Sequence, residues 1–350
     1  MINYRLATRE DNQQLIDLTA ATGMDGEIAL RIDRKPDFFK LLNMRGDSKV
    51  FLALDGDIII GSLCASLQHV YIGGHIFPIY YIADLKMLES FRNRGIGMQL
   101  SNELANYLIS IEADLVFLNV AKGNKKPISF FKNRPNIADF TNVGNFDIHQ
   151  VIGKKRKKRN QKYKIEASPA SDEIIVFLNA YYQKHELGSF ITREKLEGIG
   201  VYKISEDDKV VAVMCLADTM DVKQNVVTKL TFKTRYMLRV INYVSPIFGL
   251  SKMPSLNEPV RMMYIKYLAV SDHEKVLVNL LIDHARNIVY KKSYSFVSIG
   301  LHEKDPLNKC FTSLFKLTFH SVGMMLSLKN NQELIENVKE GIPYGDYSLV

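Results

Sequence analysis

The chain has 350 residues, 47% hydrophobic and 24% charged, which is the make-up of a folded globular protein with length for two domains. Its three cysteines, Cys64, Cys215 and Cys310, include no closely spaced pair. That speaks against a disulfide frame or a thiolate metal site and for reduced core thiols in a cytoplasmic protein. The net charge of +8 sits in one segment, Gly153 to Lys164, with eight Lys or Arg and no acid, so neither domain is broadly basic.

The opening residues lack a basic stretch followed by an apolar one, which argues against a secretory signal. No apolar run approaches the roughly 20 residues that span a bilayer. Tyr4 to Ala7 predicts a short strand, and Thr8 with Asp11 predicts the cap of a helix through Leu15, Ile16 and Leu18. Val50 to Ser66 predicts a hairpin about Asp55-Gly56. Ile79 to Met87 follows as an apolar, aromatic strand, and Leu100, Leu104, Leu108 and Ile111 then recur at helical spacing. Asp114 to Ala121 predicts another strand, the segment from Lys125 a helix, and Asn145 to Gly153 a closing strand.

The second half repeats this plan. Val201 to Cys215 matches Val50 to Cys64 in spacing, and Tyr264-Ile265 with Leu268-Ala269-Val270 matches Tyr81-Ile82 with Leu85-Lys86-Met87. Tyr294 to Leu301 takes the place of Asp114 to Ala121. An insert from Asp218 to Val260, rich in Tyr, Phe, Met and basic residues, suits a lid, an acceptor pocket wall or core packing. The division expected is a first domain at 1–153, a basic linker at 154–168 and a degenerate second domain at 169–350.

Between strand and helix, the first half carries Phe91-Arg92-Asn93-Arg94-Gly95-Ile96-Gly97, where the second has His273-Glu274-Lys275-Val276-Leu277. A glycine turn that ends a strand and opens a helix aims backbone N–H groups and the helix dipole at one point, an anion site. Leucine or β-branched side chains block that approach, so only the first half is expected to hold the anion. A dinucleotide fingerprint needs glycine where Leu100 stands, and a P-loop needs Lys-Ser or Lys-Thr where Met98-Gln99 stands.

Arg92-Asn93-Arg94-Gly95-Ile96-Gly97, with Leu85-Lys86-Met87 before it and an amphipathic helix behind, resembles the pyrophosphate loop of the GNAT N-acetyltransferases. The order of elements over about residues 3 to 152 resembles that fold, and the degraded repeat resembles tandem-GNAT acyltransferases. The resemblance implies an α/β (α+β) architecture of two GNAT-like domains, each a mixed, largely antiparallel sheet flanked by helices. It implies acetyl-coenzyme A, or another acyl-coenzyme A, as donor and an amine as acceptor. The pyrophosphate would lie on the backbone of Asn93 to Met98, and pantetheine along Leu85, Lys86 and Met87. Asn119 and Asn124 would touch the pantetheine arm, and the Met87 N–H would meet the oxyanion. Asp84 is the first choice of general base, with pairing to a cation such as Lys86 or capping a neighbouring turn as its alternative, and Tyr81 suits a base or core packing alike. Phe131 stands where the family commonly has a tyrosine that protonates the leaving thiolate, so binding by a sensor or scaffold without turnover is the alternative function.

Other signals are weaker. Asp25 and Glu27 fall where the family covers its acceptor, and they suit a cationic amine or plain loop charges. His69 and His149 are isolated strand residues. His302, Glu303 and Asp305 have no second cluster beside them, so no metal is expected. The run from Lys154 to Lys164 suits a polyanion, whether RNA, an acidic lipid surface or an import receptor, as well as a solvated linker; Tyr163 as its one aromatic weakens base stacking.

Overall fold

The structure, a computed structural model, describes residues 1–23, 28–123, 139–156 and 162–350. The expectations at Asp25, Glu27, Asn124 and Phe131, and at the centre of the basic run, lie outside these residues. The first half runs β1 (Ile2–Leu6), α1 (Asn12–Ala21), β2 (Ile28–Asp33), α2 (Phe38–Arg45), β3 (Ser48–Asp55), β4 (Ile58–Ile72), β5 (His75–Met87), α3 (Ile96–Ser110), β6 (Leu115–Ala121) and β7 (Thr141–Ile152). The second continues with β8 (Glu166–Ala167), α4 (Asp172–Tyr182), β9 (Gly188–Ser189), β10 (Gly200–Glu206), β11 (Lys209–Asp218), β12 (Gln224–Leu230) and α5 (Phe232–Phe248). It ends with β13 (Met262–Val270), α6 (Lys275–Lys291), β14 (Phe296–His302), β15 (Lys316–Ser327) and α7 (Gln332–Glu340).

The local signals act as their chemistry dictates. Asp55 pairs with Ile58 across a two-residue turn in which Gly56 takes φ +58°. The Asp11 carboxylate accepts from the Thr8 N–H at 2.7 Å and fixes the entry to α1. Leu100, Leu104 and Leu108 of α3 pack with Phe51, Ile60 and Leu63 of the sheet, whereas Ile111 falls just past the helix and is exposed. The segment 28–45 contributes β2 and α2, neither of which its short apolar runs announced.

One continuous sheet joins the halves in the order β1-β3-β4-β5-β6-β15-β7-β14-β13-β11-β10-β8. Its two wings mirror each other, and the strands at the seam are exchanged. The last long strand of the chain, β15, lies against β6 of the first half, while β7 lies against β14 of the second. The expected closing strand of the first half therefore does not touch the strand before it in sequence. A second small sheet, β2 with β12, ties the insert of the second half onto the first. Phe146 of β7, fully buried, packs at the seam against His302, Tyr347 and Gly323.

Because the seam belongs to both halves, Phe146→Ala should destabilise by about 3–5 kcal/mol. Urea unfolding followed by fluorescence and circular dichroism together should show one transition moved to lower urea. A separate, earlier transition for one half would contradict this coupling.

Candidate active site

β5 and β6 run parallel only where Ile79, Tyr80 and Tyr81 face Leu115, Val116 and Phe117. Beyond that point each strand pairs only with its outer neighbour, β4 on one side and β15 on the other. The cause lies in β5. Its register on β4 passes from Ala83–Cys64 to Lys86–Ser62, so Asp84 and Leu85 together oppose one residue, a bulge, and Asp84 takes φ +55°. Past the bulge, Leu88 N–H donates to Ile60 O at 2.9 Å. The alternation of an antiparallel ladder then turns the Met87 N–H away from β4, toward the cleft. Arg92 Nε donates to Met87 O at 3.3 Å and ties the strand end to the glycine turn.

In that turn Asn93 and Gly95 both have positive φ, +61° and +76°, and Gly95 forms the N-cap of α3. The first backbone N–H groups of a helix have no acceptor within it. Gln99 N–H reaches back to Gly95 O at 3.1 Å, and the N–H groups of Ile96 and Gly97, ahead of it in the first turn, point out of the helix end. The Arg94 guanidinium lies 5.2 Å from the Phe91 ring centre. The turn therefore has the form of an anion cradle at the mouth of the cleft.

The structure corrects the choice of Asp84 as base. Its carboxylate receives Arg34 at 2.6 Å and Arg45 at 2.7 Å, and both guanidinium side chains are only 1% exposed. Burial alone would raise its pKa, but the charges of Arg34 and Arg45, with Lys86 behind them, hold it well below the usual carboxylate range. So acidic a carboxyl, with its oxygens occupied by two cations, does not take a proton from an amine at neutral pH. It anchors the bulge. Tyr81 lies on the wall of the cavity between the halves. It is buried beside Phe117 and Arg45, and burial raises its pKa, so its phenol stays protonated. Asn119 lies in the diverging part of β6, and its Oδ1 accepts from Tyr347 Oη at 3.2 Å.

A cavity of about 670 Å³, counting its open mouth, lies between the halves. Tyr81, Asn119, His69, Lys195, Lys266 and Asp346 are on its wall. Lys195 Nζ donates to Phe190 O at 2.8 Å and Ser189 Oγ at 3.2 Å, and Lys266 Nζ lies 3.6 Å from Asp346. Burial, then the charge of Lys266, pushes the Lys195 amine down to about 8. Sequence gave no hint of Arg34, Arg45 or this lysine pair, because their meaning arises only when distant segments meet. Among the described residues no group of three or more His, Cys, Asp or Glu is arranged to hold a metal ion. His149 bonds Thr318 and Asn308 and stacks on Phe311.

The matching cleft of the second half is filled from within. β13 and β14 also pair only at their beginning, Met262 to Tyr264 with Phe296 to Ser298. There the Tyr182 hydroxyl accepts from the Leu268 N–H at 2.9 Å. Leu268 is the counterpart of Leu85, whose backbone receives no side-chain hydrogen bond among the described residues.

Asp84→Asn should cost about 3–5 kcal/mol, since it strands two buried guanidinium groups. Asp84 has a folded pKa below the unfolded value of about 4. Its contribution is complete above that value and is lost as pH falls through the folded one. Chemical unfolding at several pH values should show the variant with lower stability at neutral pH and a flatter acid limb. Equal stability of parent and variant at pH 7 would refute the anchoring role.

Residues 5–134 match the model of the acetyltransferase (GNAT) family. No curated protein matches the chain by sequence. Among solved structures, Saccharomyces cerevisiae N-myristoyltransferase with bound myristoyl-CoA is similar over 93% of this chain and 82% of its own, at 10% identity and a TM-score of 0.63. A GCN5-related N-acetyltransferase from Anabaena variabilis is similar over 93% of this chain and 72% of its own, at 10% identity and a TM-score of 0.52. A probable N-acyltransferase from Enterococcus faecalis gives the same identity and TM-score over 94% and 73%. These likenesses extend the fold over nearly the whole chain, beyond the matched domain. Residues 5–134 thus match the GNAT acetyltransferase family, and the chain as a whole shares the fold of these solved structures.

Proposed function

We propose that the protein transfers an acyl group, acetyl in the simplest case, from acyl-coenzyme A to an amine without a covalent enzyme intermediate. The observation that carries this reading is the parting of β5 from β6 directly beside the glycine turn. In this reading residues 1–153 hold the donor, 154–168 link the halves, and 169–350 shape the acceptor side. The pyrophosphate lies on Arg92 to Met98, and pantetheine runs along Leu85, Lys86 and Met87 as a strand added in the gap. The amine attacks the thioester carbonyl, the new C–N bond forms, and the C–S bond breaks. The carbonyl oxygen, negative in between, takes the hydrogen bond of the Met87 N–H. Coenzyme A leaves as the thiol once the amine's proton is passed on.

On the acceptor side, the ionisable side chains of the cavity wall include Lys195, Lys266 and Asp346. That excess of cationic charge favours an amine acceptor that also bears an anionic group. The fixed carboxylate of Asp84 supports the second reading, an acyl-coenzyme A sensor, because it removes the first choice of base.

Calorimetry with acetyl-coenzyme A tests the donor site. Gly95→Asp puts a side chain at φ +76° and a negative charge at the cradle, and should weaken binding at least about 100-fold. Equal affinity of parent and variant would remove the turn from the site. Thiol release with a panel of amines separates transfer from sensing, since binding without release from any amine favours the sensor. Among amine pairs that differ only as carboxylate or amide, the carboxylate member should be preferred. Lys195→Met should raise its KM about tenfold or more while leaving acetyl-coenzyme A affinity unchanged. No preference within pairs would rule out the anionic acceptor.

A further inference from the structure

The insert of the second half places an amphipathic helix on the surface with its apolar face outward. α5 spans 17 residues, about 25 Å of helix. Leu238 and Ser245 are its buried residues, with Ile241 half-buried beside them. On the opposite face, Phe232, Tyr236, Val240, Tyr243 and Ile247 recur at helical spacing, and they are 88%, 65%, 44%, 84% and 77% exposed. A soluble helix normally turns such a stripe inward. Here the sheet takes the other side, and nothing among the described residues covers this one. Single exposed apolar residues need no account, but a continuous stripe of five marks a contact surface.

The charge around the stripe identifies the partner. From Val222 to Asn257 the chain has no acidic residue and carries Lys223, Lys229, Lys233, Arg235, Arg239 and Lys252. Lys223 is buried, and the other five are exposed. At 3.6 residues per turn, Arg235 and Arg239 border the stripe on one side and Lys233 on the other. None of these three forms an ion pair among the described residues. The basic run begins at the same place: Lys154 bridges to Leu250, and Lys155 N–H donates to Gly249 O at 2.8 Å, at the C-terminal end of α5. A second copy of the chain is a poor occupant, since an isologous contact through this face would set one cationic border against another. An acid-free helix with aromatic and aliphatic side chains on its outer face and Lys and Arg along both borders matches the interface of an anionic bilayer. No helix of the described residues is long and apolar enough to cross one.

We propose that α5, with Lys154 and Lys155 beside its end, docks this protein on the surface of an anionic membrane. The helix lies in the plane of the interface, with Phe232, Tyr243 and Ile247 among the acyl chains and the cations at the headgroups. The surface is separate from the coenzyme A cleft and does not depend on what that cleft binds.

Vesicle co-sedimentation of the full chain tests this. Vesicles of phosphatidylcholine with about 30% phosphatidylglycerol should retain the protein, vesicles of phosphatidylcholine alone should not, and raising salt from about 0.1 M to about 0.5 M should weaken retention. Phe232→Ser/Tyr243→Ser/Ile247→Ser, all at exposed positions, should lower the partition coefficient at least tenfold with an unchanged circular dichroism spectrum. Lys233→Glu/Arg235→Glu/Arg239→Glu should do the same. The proposal is overturned if the parent stays in the supernatant with anionic vesicles. It is equally overturned if the serine variant binds them as well as the parent, as a purely electrostatic polyanion site would. A parent that is dimeric by light scattering, made monomeric by the serine substitutions and indifferent to vesicles, would assign the face to self-association instead.

Discussion

At the point where β5 leaves β6, the Asp84 carboxylate lies between two guanidinium groups that scarcely meet solvent. Arg34 comes from the segment between β2 and α2, and Arg45 from the end of α2. Arg45 also donates through Nε to the carbonyl of Leu349 at 2.6 Å. One ion cluster therefore fixes a bulge, a helix end and the last residues of the chain. Its worth lies less in net stability than in placement, since a buried ion pair roughly offsets its own desolvation. With the bulge fixed, β5 turns its backbone toward the gap rather than toward a neighbouring strand. The glycine turn follows at once, so strand edge and anion cradle occur within a few residues of each other.

The same architecture occurs twice, open in one wing and filled in the other. In both wings an inner strand pairs briefly with its neighbour and then diverges. A diverging strand leaves polar backbone groups to be satisfied. The second wing meets that need with the hydroxyl of Tyr182 and surrounds it with Tyr181, Tyr267 and Tyr344. The first wing keeps its gap beside a turn that suits phosphate. A tyrosine of α4 thus fills in the second wing the gap that the first wing leaves open.

Much of this was legible in the sequence because it depends on local chemistry. The Asp-Gly hairpin, the apolar stripe of α3 and the glycine turn each follow from residues close together in the chain. The internal repeat gave the two wings. The exchange of β7 and β15 was not legible, since an alternating strand reads the same whichever neighbour it joins. The role of Asp84 stayed open between base and ion-pair partner for a related reason. An acid in an apolar strand beside a cofactor loop fits a base, and only Arg34 and Arg45, brought from 50 and 39 residues away, make it an anchor. The face of α5 shows the limit of periodicity, which finds the apolar stripe of a helix but not the side on which the protein lies.

The exchanged strands set an order on how the molecule comes into being. While the chain is being made, β6 is complete some two hundred residues before β15, the strand that will lie along it. Until then the nascent first half exposes an unpaired edge beside a partly covered apolar core, and β7 has only solvent where β14 and β15 will stand. Contacts so distant in sequence close late and slowly. The cleft between β5 and β6, whose wall includes residues as far along as Asp346 and Leu349, therefore takes shape only after β15 has been made, and a chain cut before β15 would be prone to aggregate.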